Sequence, residues 1–275
     1  MKLGVVVVTG GASGLGRSLA LGAAGRGADV AIADLSADRL ASVADEIRAA
    51  GRRAVTMVCD VREPEAHVAL RDLAARELGP IDLWCNNAGV AVAARVGEGP
   101  LDDWRWLIDI NLMGVVYGCQ AIVPYLRARG TGAVLNTASA AGLVSSPNMG
   151  AYNASKAAVV ALTETLSTEL GGSGVTATVL CPTFFQTNLL ETARAADTSN
   201  LRFASKLMQR SRWTSDDVAR VALDDAQAGR LYSVPMSDGL WMWRARRLAP
   251  SLFYRRLASV VEAAQRRLDP GSAKR

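Results

Sequence analysis

Tyr152 and Lys156 stand four residues apart in Tyr-Asn-Ala-Ser-Lys, with Ser139 thirteen residues upstream. On a helix, positions i and i+4 share a face one turn apart. An ammonium beside a phenol favours the phenolate and draws its pKa down from about 10 toward neutrality. That pairing makes a general acid/base for moving a proton to or from an alcohol oxygen, and Ser139 offers a second hydroxyl to hold the same oxygen. An isolated Tyr-xxx-Lys pair is an ordinary feature of helix surfaces. Here it gains meaning from a nucleotide-binding pattern that opens the chain.

That pattern is the apolar run Leu3 to Thr9 leading into Gly10-Gly11-Ala12-Ser13-Gly14-Leu15-Gly16. A short β-branched run bounded by glycine reads as a buried parallel strand, and Arg17 to Ala24 reads as a helix. Glycines at such a turn let backbone N–H groups approach a pyrophosphate, whose charge the helix N-terminus favours. The spacing is Gly-xxx-Gly-x-Gly rather than G-x-G-x-x-G. Asp34 ends a second strand about twenty residues on, where a carboxylate can bind a ribose 2′-hydroxyl and repel a 2′-phosphate. NAD is therefore expected over NADP.

With these motifs in place, residues 3 to 235 resemble the short-chain dehydrogenase/reductase family. Thr9 to Gly16 matches its cofactor glycine motif, including Gly10, Ala12, Ser13, Gly14, Leu15 and Gly16. Asp60-Val61 falls where the family contacts adenine, and Asn86-Asn87-Ala88-Gly89 follows the fourth strand. Asn111, Ser139, Tyr152 and Lys156 match its catalytic set, while Pro182 and Thr187 match the segment holding the nicotinamide carboxamide. The resemblance implies that Tyr152 exchanges the proton with the substrate oxygen and Ser139 orients that oxygen. Lys156 would lower the tyrosine pKa and bind the nicotinamide ribose, and Asn111 would hold a water linking Lys156 to solvent. Thr183, where the family often has glycine, precedes bulky Phe184 and Phe185 and leaves the backbone path there open.

Other chemistries are poorly supplied. The one histidine, His67, lies in a helix-like stretch far from the catalytic segment, so a Ser-His-Asp hydrolase is excluded. Cys59, Cys85, Cys119 and Cys181 are dispersed, forming no zinc pattern and reading as small buried residues of a reducing compartment. Strand and helix patterns alternate, with strands near 3–9, 29–34, 54–59, 81–86, 132–138, 175–181 and 231–234. This predicts an α/β fold: a Rossmann-type, doubly wound, seven-stranded parallel sheet with helices on both faces. Residues 1–239 would form this single domain, followed by a helical extension over 240–275. The early first strand leaves no room for a signal peptide, and no run reaches about 18 consecutive apolar residues. The cytoplasm is the expected location.

The formal charge of +5 resides in the tail. Residues 244–275 carry nine Lys/Arg against two acids, whereas the rest of the chain is slightly acidic. No nucleic-acid motif accompanies this charge, so nucleic acid is not an expected partner. Trp241, Trp243, Phe253 and Tyr254 accompany the arginines. Leu252, Phe253, Leu257, Val260, Val261, Ala264 and Leu268 fall on one side of a helix, with Arg255, Glu262 and Arg266 opposite. Such a helix packs on protein, covers the site, or lies on an anionic membrane through 240–268. The stretch 184–212 reads as a lid over a hydrophobic alcohol or ketone, with Leu143, Met149, Phe184, Phe185 and Trp243 lining its pocket. Long helices over 101–128 and 150–171 suggest a homodimer or homotetramer. The alternatives are an NADPH-dependent 3-oxoacyl-type ketoreductase and a non-catalytic dinucleotide-binding protein.

Overall fold

The computed structural model describes residues 1–195 and 198–268. In chain order its elements begin with β1 (Val5–Thr9), α1 (Gly14–Ala24), β2 (Asp29–Asp34), α2 (Ala37–Ala49), β3 (Ala54–Val58), α3 (Pro64–Glu77), β4 (Leu83–Asn86) and β5 (Val92–Ala93). Then come α4 (Leu101–Ile108), a π-helical turn (Asp109–Met113), α5 (Gly114–Arg129), β6 (Gly132–Thr137), α6 (Ala140–Leu143), α7 (Gly150–Glu169) and β7 (Val175–Leu180). The chain continues through β8 (Arg194–Ala195), α8 (Thr198–Arg210), α9 (Ser215–Gln227), β9 (Tyr232–Ser233), α10 (Ser237–Leu248) and α11 (Pro250–Leu268).

Seven strands form one parallel sheet in the order β3-β2-β1-β4-β6-β7-β9. The four valines of β1 explain its central place, because alternate side chains serve opposite faces. Val6 and Val8 pack with α1, α2 and α9, whereas Val5 and Val7 pack with α3, α5 and α7. A strand covered on both faces must be apolar throughout, and β1 is wholly buried. Strand order reverses between β1 and β4, so a crevice opens at the carboxyl ends of those strands.

The helix expected over 101–128 is interrupted by the π turn at 109–113. By length and composition alone this segment could cross a membrane. In the fold it covers the sheet beside α3 and α7, with Leu107, Ile122 and Leu126 fully buried.

A buried polar chain joins the sheet to α7. Trp84 Nε1 donates to Asn86 Oδ1 (2.7 Å), Asn86 Nδ2 to Asn136 Oδ1 (2.9 Å), and Asn136 Nδ2 to Thr163 Oγ1 (3.0 Å). Thr163 in turn donates to the Val159 carbonyl at 2.7 Å. Each group finds a partner, which is the condition for tolerating amides in a core. Replacing Asn136 by Ala strips partners from both Asn86 and Thr163. Urea unfolding is expected to show a loss of about 2–4 kcal/mol, given roughly 1–3 kcal/mol per buried unsatisfied group.

The tail folds back on the body. Phe253 and Leu257 of α11 and Met242 and Trp243 of α10 pack on the cluster containing Val159 and Val179. Leu252 and Val260 remain exposed, so the single apolar stripe expected for this helix is divided between protein and solvent. The side chains of Glu262, Ala264, Arg266 and Leu268 lie outside the described residues, as do Asp269, Lys274 and Arg275.

Candidate active site

Three strand ends converge on the glycine loop. Gly10 has φ +63°, and a Cβ there would lie 2.8 Å from Ala88 Cα; at Gly16 it would lie 1.9 Å from the Gly10 carbonyl. Side chains are thus excluded where the loop meets the Asn87-Ala88-Gly89 segment. Asn87 Nδ2 ties the two together, donating to the carbonyls of Thr9 (3.0 Å) and Gly10 (3.2 Å). From the end of β7, Thr187 Oγ1 reaches within 2.9 Å of where a Gly14 Cβ would stand. The N-terminus of α1 opens here, and Ser13 makes no side-chain cap.

From this loop runs a cleft of about 480 Å³. One end is lined by Asp34, Asp60 and Val61, the middle by Ser13, Gly14, Leu15 and Gly16, and the other half begins at Tyr152 and Lys156. Asn87, Ala88, Gly89, Pro182 and Thr187 also border it. The bare glycine turn, the helix N-terminus and a carboxylate one strand away fit a dinucleotide, with pyrophosphate at the turn. Asp34 accepts from the Ala12 N–H (3.2 Å) and the Ser36 N–H (3.3 Å), which fixes its carboxylate. Ala12 itself does not line the cleft; its backbone serves Asp34. Asp60 forks with Arg62, whose guanidinium holds that carboxyl below the usual range. Arg39 also borders the Asp34 end, a contribution hidden in the sequence because it lies one helical turn beyond the strand.

Tyr152 and Lys156 emerge from the first two turns of α7, and both are buried. Ser139 caps α6, its Oγ accepting from the Ala141 N–H at 3.1 Å and donating to the Pro182 carbonyl at 3.4 Å, and its hydroxyl lies beside the Tyr152 phenol in the cleft wall. Gly142 allows this approach, since a Cβ there would come within 2.5 Å of the Lys156 carbonyl. The sequence brings the three residues together as expected, but their electrostatics differ from expectation. Burial pushes the Tyr152 phenol up to about 12, with only the Ser139 hydroxyl opposing. Lys156 does not acidify it: the ammonium donates to the Thr137 carbonyl at 2.9 Å and stands 5.8 Å from the Tyr152 ring centre. Burial lowers the lysine itself to about 8.

Asn111 occupies the middle of the π turn, fully buried and outside the cleft lining. Its amide accepts from the Val90 N–H (2.8 Å) and donates to the Val90 carbonyl (2.9 Å) and Ser155 Oγ (3.3 Å). Both amide protons are therefore committed to bracing the cleft wall against α7. His67 is buried against Trp84 and Tyr117, with Nε2 at 2.9 Å from the Val61 carbonyl, a structural position.

Beyond Tyr152 the cleft wall is mainly apolar, with Trp106, Ile110, Met149, Phe184, Leu189 and Met208 contributing. Phe185 also lines it while packing into the core. Two expectations fail. Leu143 is buried among Val159, Val179 and Cys181, and its neighbour Val144 lines the cleft instead. Trp243 lies against Tyr232 with ring centres 4.7 Å apart, while Met242 and Asp238 of α10 line the cleft. Thr183 fits because Gly239 leaves room for its methyl and Asp238 accepts from its hydroxyl at 3.1 Å. The stretch after β7 is pinned to the body by β5–β8 pairing, by Arg194–Asp103 (2.9 Å), and by the Arg194 guanidinium 3.9 Å above Trp106. The stretch 184–212, read from the sequence as a lid, also spans residues 196 and 197, which lie outside the described residues.

The fold and this arrangement are those of a nicotinamide-type oxidoreductase scaffold, and comparison with known proteins makes the class definite. The family described as short chain dehydrogenase matches residues 4–198, and the chain belongs to it. A 2-dehydro-3-deoxy-L-rhamnonate dehydrogenase (NAD(+)) of a Sphingomonas species is 39% identical over 67% of this chain and 73% of its own length. A cyclohexanol dehydrogenase of an Acinetobacter species is 33% identical over 81% of this chain and 88% of its own. The crystal structure of a short-chain dehydrogenase/reductase from Burkholderia phymatum in complex with NAD superposes with a TM-score of 0.86. It is 32% identical and covers 91% of this chain and 95% of that one. The chain is thus an oxidoreductase of the alcohol dehydrogenase kind.

The depressed Lys156 gives a stability signature. Its pKa falls from 10.5 unfolded to about 8 folded, so the folded state carries the full cost of a buried cation below pH 8. That cost fades as pH rises from 8 to 10.5. Lys156→Met should therefore be more stable than the parent by about 1–2 kcal/mol at pH 7 after losing the Thr137 hydrogen bond. The advantage should disappear by about pH 10.5 in denaturant titrations.

Proposed function

We propose that this enzyme interconverts a hydrophobic secondary alcohol and its ketone using NAD. The observation that carries the reading is the Ser139–Tyr152 hydroxyl pair, which stands where the polar dinucleotide half of the cleft meets the apolar half. The bound nicotinamide supplies or removes the hydride. Ser139 orients the substrate oxygen, and Tyr152 donates the proton as that oxygen gains negative charge. A phenol kept protonated by burial suits this donation at neutral pH. In the oxidative direction the same group must first lose its proton, a step that alkaline conditions favour. Asn111 keeps the Val90 wall fixed against α7, and a water near it would complete a route from Lys156 to solvent.

The preference for NAD rests on Asp34, whose carboxylate faces the ribose end of the cleft. Arg39 at the same end favours the NADPH-dependent ketoreductase reading, but its guanidinium faces Glu191 at 3.5 Å. The two relatives named above act on chemically opposite alcohols, so the substrate class is inferred from this chain's own apolar wall. We place the enzyme in the cytoplasm, in keeping with its four free cysteines, and as a homodimer or homotetramer. Residues 1–239 form the catalytic domain in this reading, with 240–275 as its extension.

Tyr152→Phe is expected to lower kcat by about 10²–10⁴-fold, the range of general acid/base catalysis, with NADH affinity changed less than about threefold. Steady-state assays and NADH fluorescence titration check both, and retained turnover overturns the mechanism. For alcohol oxidation, kcat/KM should climb as pH rises from 7 to 10, because the free enzyme's phenol titrates near 12. A substrate panel should favour cyclic and aryl alcohols over polyols; the reverse order overturns the substrate class.

A further inference from the structure

Helix α10 has two apolar faces. On the inner one, Met242 lines the cleft and Trp243 packs on Tyr232. On the outer one, Trp241 and Leu248, seven residues apart and so on one side of the helix, are 68% and 87% exposed. Arg244 extends from the same side, its guanidinium 5.9 Å from the Trp241 ring centre, whereas Arg247, also exposed, leans to the inner side with its guanidinium 5.5 Å from the Trp243 ring centre. The following helix continues the pattern. Leu252 and Val260 are exposed beside exposed Arg255 and Arg256, while Phe253 and Leu257 face inward.

We propose that this outer strip docks on an anionic lipid bilayer, with the apolar half of the cleft beside the contact. Large apolar groups flanked by arginines are the composition of an interfacial helix, in which tryptophan sits at headgroup depth and cations meet lipid phosphates. The charge of the segment is complementary to such a surface: residues 244–275 hold nine Lys/Arg and two acids. A second copy fits less well. A two-fold contact would gather Arg244, Arg255 and Arg256 of both copies into one interface. Consecutive residues Trp241 and Met242 connect the two faces, so a docked enzyme holds its substrate wall one helix diameter from the lipid. That placement rests on the hydrophobic-substrate reading, whereas docking itself does not.

The test is co-sedimentation with vesicles of phosphatidylcholine containing about 30% phosphatidylserine, against pure phosphatidylcholine, without cofactor or substrate. The expected result is at least about tenfold tighter binding to the anionic vesicles, lost in high salt. Trp241→Ser/Leu248→Ser and Arg244→Gln/Arg255→Gln should each abolish that preference while keeping the parent's circular dichroism and melting temperature. Equal partitioning of parent and variants overturns the proposal. So does a concentration-dependent oligomer that the Trp241→Ser/Leu248→Ser protein no longer forms, because the strip is then a contact between copies. Vesicle binding with no activity on hydrophobic alcohols would leave docking standing and remove the substrate reading alone.

Discussion

The site depends on an amine held out of water. Lys156 is embedded on α7 with its ammonium directed to the Thr137 carbonyl, and Tyr152 is buried one turn earlier. Desolvation acts on both groups in the same sense, favouring neutral amine and neutral phenol. The fold must therefore be stable enough elsewhere to keep a cation where solvent barely reaches. The chain of amides from Trp84 through Asn86 and Asn136 to Thr163 anchors α7 to the sheet, two turns below Lys156. A helix less firmly attached would let water to the amine and relax the arrangement.

The rest of the architecture brings other strand ends to this helix. The glycine loop after β1, the Asn87 segment after β4 and Thr187 after β7 meet within a few ångströms, and no side chain could be added at Gly10 or Gly16. Asn111 braces the opposite wall through Val90 from within a π turn, a form of helix often found at functional sites. The stretch between β7 and α8 is held by β5–β8 pairing at Arg194 and Ala195 and by a guanidinium stacked on Trp106.

Much of this was legible in the chain. Buried strands announce themselves because both faces demand apolar residues, and the seven strands fall within the runs read from the sequence, although β4 (Leu-Trp-Cys-Asn) and β9 (Tyr-Ser) hold no β-branched residue. The glycine loop and the Tyr-Lys pair were legible because their chemistry fixes their spacing. Leu143 and Val144 could not be told apart, since a four-residue helix is too short to set a periodic phase. Trp243 misled for a related reason: aromatic residues at 241 and 243 point opposite ways on α10, and Met242 between them reaches the cleft. The Thr137 carbonyl that engages Lys156 is backbone and leaves no mark in the sequence. The acidification expected of Tyr152 assumed a solvated pair, whereas burial dominates.

The match to the family ends at residue 198, yet α8 and α10 supply Met208, Asp238 and Met242 to the cleft. Most of the cleft lining lies in the common part, and a portion of its wall follows it in the chain. Selection can thus revise what the enzyme accepts by altering its last third while leaving the inherited machinery alone. Chimeras joined in the α9 segment between these two walls would exchange specificity as a cassette.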